Sequence, residues 1–194
     1  MRAIPCGNPN RPALGAWLAA IMAILMPLAW AASARAQAPE AATGKATGLP
    51  VPRYVSLKSD RVNLREGPSK DHRTSWVFQR AGLPVEIVAE FETWRRIRDS
   101  EGTEGWVLHS LLSGRRTALI TPWVKGEATP LPLYERADER AGVVARLQPG
   151  VIANVRQCTG TWCRIVVVNP KASDLAGYVR QDRLWGVYPN EKVE

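Results

Sequence analysis

Two cysteines in the second half of the chain are the residues best suited to covalent chemistry. Cys158 and Cys163 stand in the segment C-T-G-T-W-C. A redox centre would use the C-x-x-C spacing, which this segment lacks. A metal site would need two further ligands, and the only histidines, His72 and His109, lie far away in the sequence. We therefore predict a structural disulfide, formed in an oxidising compartment, and no bound metal.

Asp71, His72 and Ser75 are the residue types of a catalytic triad, and they fall within one predicted loop. The three groups of a triad must converge in a chain of hydrogen bonds, a geometry that neighbours in sequence seldom reach. The remaining carboxylates are scattered over predicted turns, and no glycine-rich phosphate loop opens a helix. The sequence therefore predicts solvated loop residues here, no enzyme and no cofactor.

Tryptophan beside arginine is the pattern that favours ligand binding. Trp94 and Trp162 each begin a predicted strand directly after a turn, where an indole ring can stay half exposed. Such a ring can stack on a peptide or a sugar while guanidinium groups bind carboxylates. The alternative is a solvated basic surface, because acidic residues interleave with these arginines. The predicted binding residues are Trp94, Arg96, Arg98, Trp162 and Arg164.

These residues belong to a pattern that occurs twice. Residues 93–97 read T-W-R-R-I, and residues 161–165, at a shift of 68, read T-W-C-R-I. Residues 105–107 read G-W-V and residues 177–179 read G-Y-V, at a shift of 72 that a longer loop at 169–174 absorbs. Matching residue types with one insertion in a turn indicate a duplicated module. Trp106 and Tyr178, inside these strands, are predicted to pack in the core or between the modules.

Each copy has the periodicity of short strands. Val85, Ile87 and Ala89 alternate with more polar neighbours, which makes one apolar face. Turn signals recur every eight to twelve residues and no helical period of useful length appears, so we predict an all-β fold of two tandem small barrels. The predicted organisation is a signal peptide at 1–36, a flexible linker at 37–53, the first repeat at 54–120 with its last strand at 116–120, the second repeat at 121–188 and a tail at 189–194.

The two copies differ informatively at the cysteines. The shift of 68 places Glu90 at the position of Cys158 and Arg95 at the position of Cys163. If those positions face each other across a hairpin, the first copy has an ion pair where the second has a covalent bond. We therefore predict that Glu90 and Arg95 are neighbours, and that an exposed pair of this kind contributes roughly 0.2–1 kcal/mol.

The start of the chain has the features of a signal peptide. Arg2 and Arg11 precede a long uncharged apolar run that closes on the small-residue site Ala34-Arg35-Ala36. We predict cleavage after Ala36 and a periplasmic or secreted product. The alternative is an inner-membrane protein anchored by residues 13–32, since about 20 apolar residues can span a bilayer.

Charge and composition describe what remains after cleavage. The chain has 26 Lys and Arg against 18 Asp and Glu, a net charge of +8. Three of the basic residues precede Gln37, so the mature chain would carry +5, a value that serves solubility. Export argues against a nucleic-acid partner. Residues 37–53 are rich in Ala, Gly, Thr and Pro, a composition typical of a flexible linker.

Taken together, the motifs resemble those of a known family. V-N-L-R-E-G-P-S at 62–69, a turn closing on Ala81-Gly82, T-W-R-R-I and G-W-V resemble the bacterial SH3 domains of cell-envelope proteins. The second copy keeps T-W-C-R-I and G-Y-V but has L-Y-E-R at 133–136 in place of L-R-E-G. The resemblance implies five- or six-stranded SH3-like barrels without a catalytic domain and, in relatives attached to hydrolases, recognition of cell-wall peptide.

Two functions follow as expectations. The first is a non-enzymatic exported binding module for a cell-envelope ligand, foremost a peptidoglycan peptide. The second is a periplasmic scaffold that docks onto another envelope protein through exposed aromatic side chains and sheet edges. Contact with the membrane is expected only through an uncleaved signal segment. The sequence sets neither the oligomeric state nor the relative orientation of the barrels.

Overall fold

A computed structural model of the protein describes residues 42–120 and 129–194. The predicted signal peptide, its cleavage point after Ala36 and the alternative anchor at 13–32 lie outside the described residues. The chain divides into two units, Met1–Ala38 and Pro39–Glu194, and every described residue belongs to the second unit. Within the described part of the chain, no helix has the length and apolar character needed to cross a membrane.

The first sheet has seven antiparallel strands in the order β5-β4-β8-β7-β6-β3-β9. Its strands alternate between the two faces, so that Val62 and Leu64 are buried while Asn63 is exposed. Eight side chains, among them Leu57, Ile97 and Val107, form the core of the barrel. The strands are β3 (Arg53–Leu57), β4 (Val62–Arg65), β5 (Thr74–Phe78), β6 (Pro84–Phe91), β7 (Trp94–Arg98), β8 (Glu104–Leu108) and, after a 3₁₀ turn at His109–Leu111, β9 (Leu112–Ser113).

The second sheet repeats this order with equivalent strands, β12-β11-β15-β14-β13-β10-β16, and β17 pairs in addition with β13. Its core includes Leu133, Ile165 and Val179 together with both cysteines. The predicted all-β class of two tandem small barrels is confirmed. The strands are β10 (Thr117–Ile120), β11 (Leu131–Tyr134), β12 (Val143–Leu147), β13 (Ile152–Thr159), β14 (Trp162–Val167), β15 (Leu175–Arg180) and, after a 3₁₀ turn at Gln181–Arg183, β16 (Leu184–Trp185) and β17 (Lys192–Val193).

The glycine of the G-W-V and G-Y-V motifs is required by barrel closure. A Cβ atom at Gly105 would lie 2.5 Å from the Leu64 side chain and 2.9 Å from the Arg65 carbonyl oxygen. At Gly177 the corresponding distance is 2.6 Å, to the carbonyl oxygen of Tyr134. Strand β4 therefore passes over β8, and β11 over β15, at a separation that leaves no room for a side chain.

The prediction that residues 116–120 close the first repeat is wrong. Strand β10 pairs with β13, with Ala118 opposite Ala153, and with β16, with Ile120 opposite Leu184. It is therefore the first strand of the second sheet, as β3 is of the first. All four residues of β10 are buried, so their pattern carries no alternation that would show which sheet they join. We propose that the boundary between the domains lies just before β10.

The predicted linker and the predicted tail both contain strands. Within the predicted linker, β1 (Ala42–Thr43) pairs with β2 (Pro50–Val51) in a hairpin. Within the predicted tail, β17 pairs with the end of β13. The hairpin is held by a side chain more than 40 residues away, Glu90, which accepts hydrogen bonds from the amides of Ala46 and Thr47. Composition could not reveal this contact, so the prediction of a flexible linker is wrong for residues 42–53.

The barrels meet through an aromatic and ionic cluster. The Tyr54 ring on β3 lies with its centroid 5.2 Å from that of Trp185 and 4.5 Å from that of Tyr188. The Tyr188 hydroxyl donates a 2.8 Å hydrogen bond to Glu86 on β6, and Arg98 donates a 2.9 Å hydrogen bond from Nε to the same carboxylate. Burial, together with the Glu86 charge, raises the pKa of both tyrosines well above the ordinary value.

Candidate functional site

Trp94 lies at the base of a pocket of about 290 Å³ on the first barrel. In the β7–β8 ladder Trp94 stands opposite Leu108, so both side chains project to the same outer face. The ring is only 7 % exposed, so the expectation of a half-exposed ring is wrong. The reason is tertiary, because the neighbouring strands, the 3₁₀ turn and the loop after β4 enclose it. The lining residues are Arg61, Asn63, Arg65, Lys70, Trp94, Leu108 and Leu111.

Arg65 holds the long loop between β4 and β5 against this pocket. Its Nη1 atom donates hydrogen bonds to the carbonyl oxygens of Lys70, at 2.9 Å, and His72, at 2.6 Å. At the loop ends Arg73 forms an ion pair with Glu66. These contacts place Lys70 at the pocket, so the arginine of the L-R-E-G motif both lines the pocket and positions a second cation there.

The pocket is strongly cationic. Arg61, Arg65 and Lys70 line it, and its wall contains no acidic residue. Within residues 42–120 and 129–194, none of these three side chains forms an ion pair. Guanidinium and ammonium groups without counter-ions beside an aromatic ring bind a carboxylate that carries some apolar surface. The geometry is that of a binding site for an anionic group.

The two other predicted residues of the first repeat make contacts elsewhere. Arg96 forms a 2.8 Å ion pair with Glu104 and is half exposed. Arg98 binds Glu86 at the barrel junction. The cations beside Trp94 come instead from β4 and its flanking loops, which sequence reasoning missed. The sequence feature that could have identified these cations was Arg65, the arginine of the L-R-E-G motif.

The equivalent ring in the second barrel, Trp162, is half-buried, as expected from the sequence, and packs against neighbouring side chains. Trp162 pairs with Arg180 as Trp94 pairs with Leu108. The Tyr134 ring packs edge-on against the Trp162 ring at 5.7 Å, and the Arg180 guanidinium lies 5.9 Å from its centroid. Arg180 in turn contacts the carboxylates of Glu139 and Asp182. The two copies therefore share a scaffold but present different surfaces.

The remaining predicted residues are dispersed. Arg164 is exposed on the outer face of β14, opposite Tyr178. Tyr178 and its counterpart Trp106 are half-buried and stand outside the two barrel cores, so the first of the two alternatives, packing in the core, is wrong for them. Trp94 and Trp162 belong to separate sheets. The structure thus divides the predicted residues between the two barrels and the junction.

The residues of the triad type have other partners. The Ser75 hydroxyl donates to the carbonyl oxygen of Leu64 at 3.2 Å, and Asp71 accepts from Ser69 at 3.2 Å. The His72 ring packs on Gly67, where a Cβ atom would lie 2.3 Å from its Nε2. Asp71 and His72 are exposed in the loop, as expected from the sequence, whereas Ser75 lies on strand β5 and the expectation of a loop position is wrong for it. In the described ranges, no cluster of three or more His, Cys, Asp or Glu side chains could hold a metal ion.

The comparison between Glu90–Arg95 and the cysteines is confirmed. Cys158 and Cys163 form a disulfide across β13 and β14, with Cα atoms 4.1 Å apart. Glu90 and Arg95 face each other at the equivalent place in the first sheet, with Arg95 Nε 3.5 Å from Glu90 Oε1. The pair is buried, however, and the expected exposed pair is wrong, because the hairpin at 42–51 covers it.

The carboxylate of Glu90 is the most heavily bonded in the first barrel. It accepts from Thr47 Oγ1 and Arg53 Nη2, each at 2.7 Å, in addition to two backbone amides. Burial would raise its pKa, but the hydrogen bonds from Thr47, Arg53 and Ala46 outweigh burial and lower the pKa of Glu90 to about 2. The carboxylate thus has a structural role in fastening the hairpin.

Comparison with known proteins places the chain in a family. The bacterial SH3 domain matches it twice, at residues 58–114 and 127–186. No match was found among curated proteins. Among solved structures, NlpC2 from Trichomonas vaginalis is similar at 12% identity and a TM-score of 0.30, covering 69% of this chain and 48% of that one. NlpC1 from the same organism has the same identity and TM-score and covers 73% and 48%.

The chain spans about half the length of these two solved structures. The family assignment comes from the two sequence matches, which together include more than half of the residues, and each match falls on one sheet. Both sheets have the same strand order. The chain belongs to the bacterial SH3 domain family and contains two tandem copies of the domain.

Proposed function

We propose that this chain is an exported, non-enzymatic binding protein of the cell envelope whose first barrel recognises a peptidoglycan peptide. The observation that supports this proposal is the cationic pocket built on Trp94. Arg61, Arg65 and Lys70 surround an aromatic floor, and no acid lines the pocket. Wall peptides carry carboxylates next to small apolar groups, and this pairing of charge and ring fits both.

The size of the pocket restricts what it holds. At about 290 Å³ it lies at the lower limit of ligand pockets, which range over roughly 300–1,000 Å³. A single terminus or side chain of the peptide therefore enters it, and the rest of the ligand lies along the outer surface. The chain belongs to a family whose domains are typically binding modules, which agrees with binding of a peptide in this way.

In this proposal the wall peptide is bound through the Trp94 pocket of the first barrel and not through the ring of Trp162 in the second. The equivalent ring in the second barrel, Trp162, is contacted by Tyr134 and Arg180, and Arg180 is neutralised by two carboxylates. The second barrel therefore serves to support the first. The proposed site includes Trp94 but not Trp162 or Arg164, and it does not include Arg96 or Arg98, because neither lines the pocket and each forms an ion pair.

The disulfide supports an extracytoplasmic location. Cys158 and Cys163 are bonded and buried in the second core, and such bonds are typical of proteins that fold in an oxidising compartment. We propose cleavage after Ala36 and release to the periplasm or beyond. Mass spectrometry of the exported protein tests this directly, since Gln37 is the expected first residue.

Co-sedimentation with purified peptidoglycan tests the ligand. We would compare residues 37–194 of the wild type with Lys70→Glu, a substitution at an exposed position that keeps the barrel core intact. The matched control is Arg136→Glu, an exposed reversal of charge in the second barrel. We expect Lys70→Glu to weaken binding about tenfold or more, and Arg136→Glu to leave binding near the wild-type value at moderate salt.

Trp94→Ala extends the test to the aromatic floor, with circular dichroism as a check on folding. If Lys70→Glu and Arg136→Glu lose wall binding equally, the binding is the nonspecific adhesion of a basic protein to an anionic polymer. Wall binding by the wild type that is unchanged in Lys70→Glu would remove the pocket from the proposal. If the wild type does not co-sediment with peptidoglycan, peptidoglycan is not the ligand.

A second candidate, docking onto another envelope protein, is favoured by the two sheet edges. Strands β5 and β12 are the equivalent edge strands of their sheets. They carry exposed apolar side chains, Trp76 at 58%, Val143 at 47% and Val144 at 41%. An exposed edge can accept a strand from a partner. Site-specific crosslinking from Trp76 in whole cells would identify such a partner and distinguish this function from wall binding.

A further inference from the structure

A cleft of about 660 Å³ opens at the junction of the two barrels. The first barrel contributes the turn between β5 and β6, and the second contributes β10, β13 and β14. The cleft shares no lining residue with the Trp94 pocket. The lining residues that carry the argument are Arg80, Arg115, Thr117, Asn154, Val167 and Val168.

Two arginines supply the charge of this cleft. Arg80 donates a 3.1 Å hydrogen bond from Nη1 to the carbonyl oxygen of Gly150, across the junction. Arg115 lies over the turn, with Nη2 3.4 Å from where a Cβ atom of Gly82 would be. Among the described residues neither arginine forms an ion pair, and no acidic residue lines the cleft. The potential there is positive and uncompensated, which favours an anionic ligand.

The opposite wall combines an apolar surface with unused polar groups. Val168 is 58% exposed at the cleft and Val167 lies beside it. Thr117, which is 2% exposed, has a hydroxyl without a hydrogen-bond partner in the described part of the chain. Asn154 stands opposite Thr117 in the β10–β13 ladder. Buried polar groups are nearly always bonded, so an unbonded hydroxyl beside a cationic cleft points to a ligand that would complete it.

We propose that this junction cleft binds the terminal carboxylate of a short apolar peptide. A planar carboxylate matches the donor geometry of a guanidinium group, and the aliphatic side chain next to it would cover the two valines. An inorganic anion would leave the valines uncovered. Because its residues belong to both barrels, the site exists only when the two domains are assembled. The proposal does not depend on the function assigned to the Trp94 pocket.

The test measures binding of a small peptide to residues 37–194, which include every described residue. The probes are N-acetyl-alanyl-valine, the same dipeptide as its C-terminal amide, and inorganic phosphate, titrated by NMR with the amides of Gly82 and Gly150 as reporters. We expect the free acid to shift these amides saturably and to bind about tenfold or more tightly than the amide. Phosphate should bind more weakly than the acid because it cannot cover the valines.

Variants assign the site. Arg115→Gln should weaken binding of the acid about tenfold, and Arg136→Gln, an exposed change away from the cleft, should leave it unchanged. Thr117→Val retains the shape of the side chain and should weaken binding of the acid, because it removes the hydroxyl that bonds the ligand; unchanged binding would remove this hydroxyl from the site. Equal binding of acid and amide, or no shift at the reporters, would overturn the proposal. Phosphate binding as tightly as the peptide would show an adventitious ion only.

Discussion

Replacing Glu90 by glutamine should release the hairpin at 42–51 and destabilise the first barrel. The Glu90 side chain is fully buried and accepts bonds from Ala46, Thr47 and Arg53, with Arg95 3.5 Å away. Glutamine has nearly the same shape, but it brings an NH₂ group to a place where every partner is a donor. The substitution therefore leaves donors unpaired instead of creating a cavity.

The size of the expected loss of stability follows from the pKa of Glu90. The pKa of Glu90 falls from 4.5 to about 2, and each unit corresponds to about 1.36 kcal/mol. The full shift would amount to about 3 kcal/mol, and solvent screening at the exposed turn reduces the expected loss to about 2 kcal/mol. Because the folded pKa is lower than the unfolded one, this stability is present above pH 4.5 and is lost as the pH falls towards 2.

Urea unfolding followed by tryptophan fluorescence measures this effect. At pH 7 the Glu90→Gln variant should unfold with a free energy about 2 kcal/mol below the wild type, and the difference should shrink at about pH 3. Glu101→Gln, an exposed glutamate in the next turn, is the matched control and should change stability by less than about 0.5 kcal/mol. Hydrogen exchange at the amides of Ala46 and Thr47 should accelerate in the Glu90 variant alone. The reasoning would be refuted if Glu90→Gln were as stable as the wild type at pH 7. It would also be refuted if the difference in unfolding free energy were as large at pH 3 as at pH 7.

Removing the disulfide through Cys158→Ala with Cys163→Ala should cost about 2 kcal/mol, because the closed loop is short; a reductant should then lower the stability of the wild type and leave the double variant unaffected. Tyr188→Phe should lower stability by about 1 kcal/mol through loss of the bond to Glu86, which the same urea assay measures. Tyr54 and Tyr188 have raised pKa values, so their stabilising effect is complete below pH 10 and declines as the pH rises above it. In an absorbance titration both should stay neutral until the barrels unfold, and early ionisation of either would contradict the packing at the junction.

Much of the fold was predictable from the sequence because its signals are local. Alternation of apolar and polar residues predicted Val62–Arg65, and the repeat predicted Leu131–Tyr134 as its counterpart. The two sheets have seven and eight strands, more than the five or six per barrel that the family resemblance implies. The pairing of Glu90 with Arg95 followed from aligning one copy with the other, and the Cys158–Cys163 disulfide followed from the number and spacing of the cysteines. Each of these inferences uses residues a few positions apart or the same position in two copies.

The candidate site was predicted only in part. Trp94 was found because it begins a strand after a turn, but its burial and its cationic neighbours were missed. Period-two alternation placed Arg96 and Arg98 on the same face as Trp94, yet each reaches a carboxylate on an adjacent strand. Arg65 and Lys70 approach Trp94 only because β4 lies against β8 in the sheet and its loop folds back.

The sequence by itself determined that this chain forms two copies of a small all-β barrel, because strand periodicity, turn residues and a repeated motif are written in neighbouring positions. The tertiary structure alone decided that Thr117–Ile120 joins the second sheet, that the segment around Thr47 docks on Glu90, and that Trp94 lines a cationic pocket while its copy Trp162 packs against Tyr134. These outcomes depend on which distant strands pair. The candidate partners of a strand have similar local sequences, so only the packing of the whole barrel determines which strands pair.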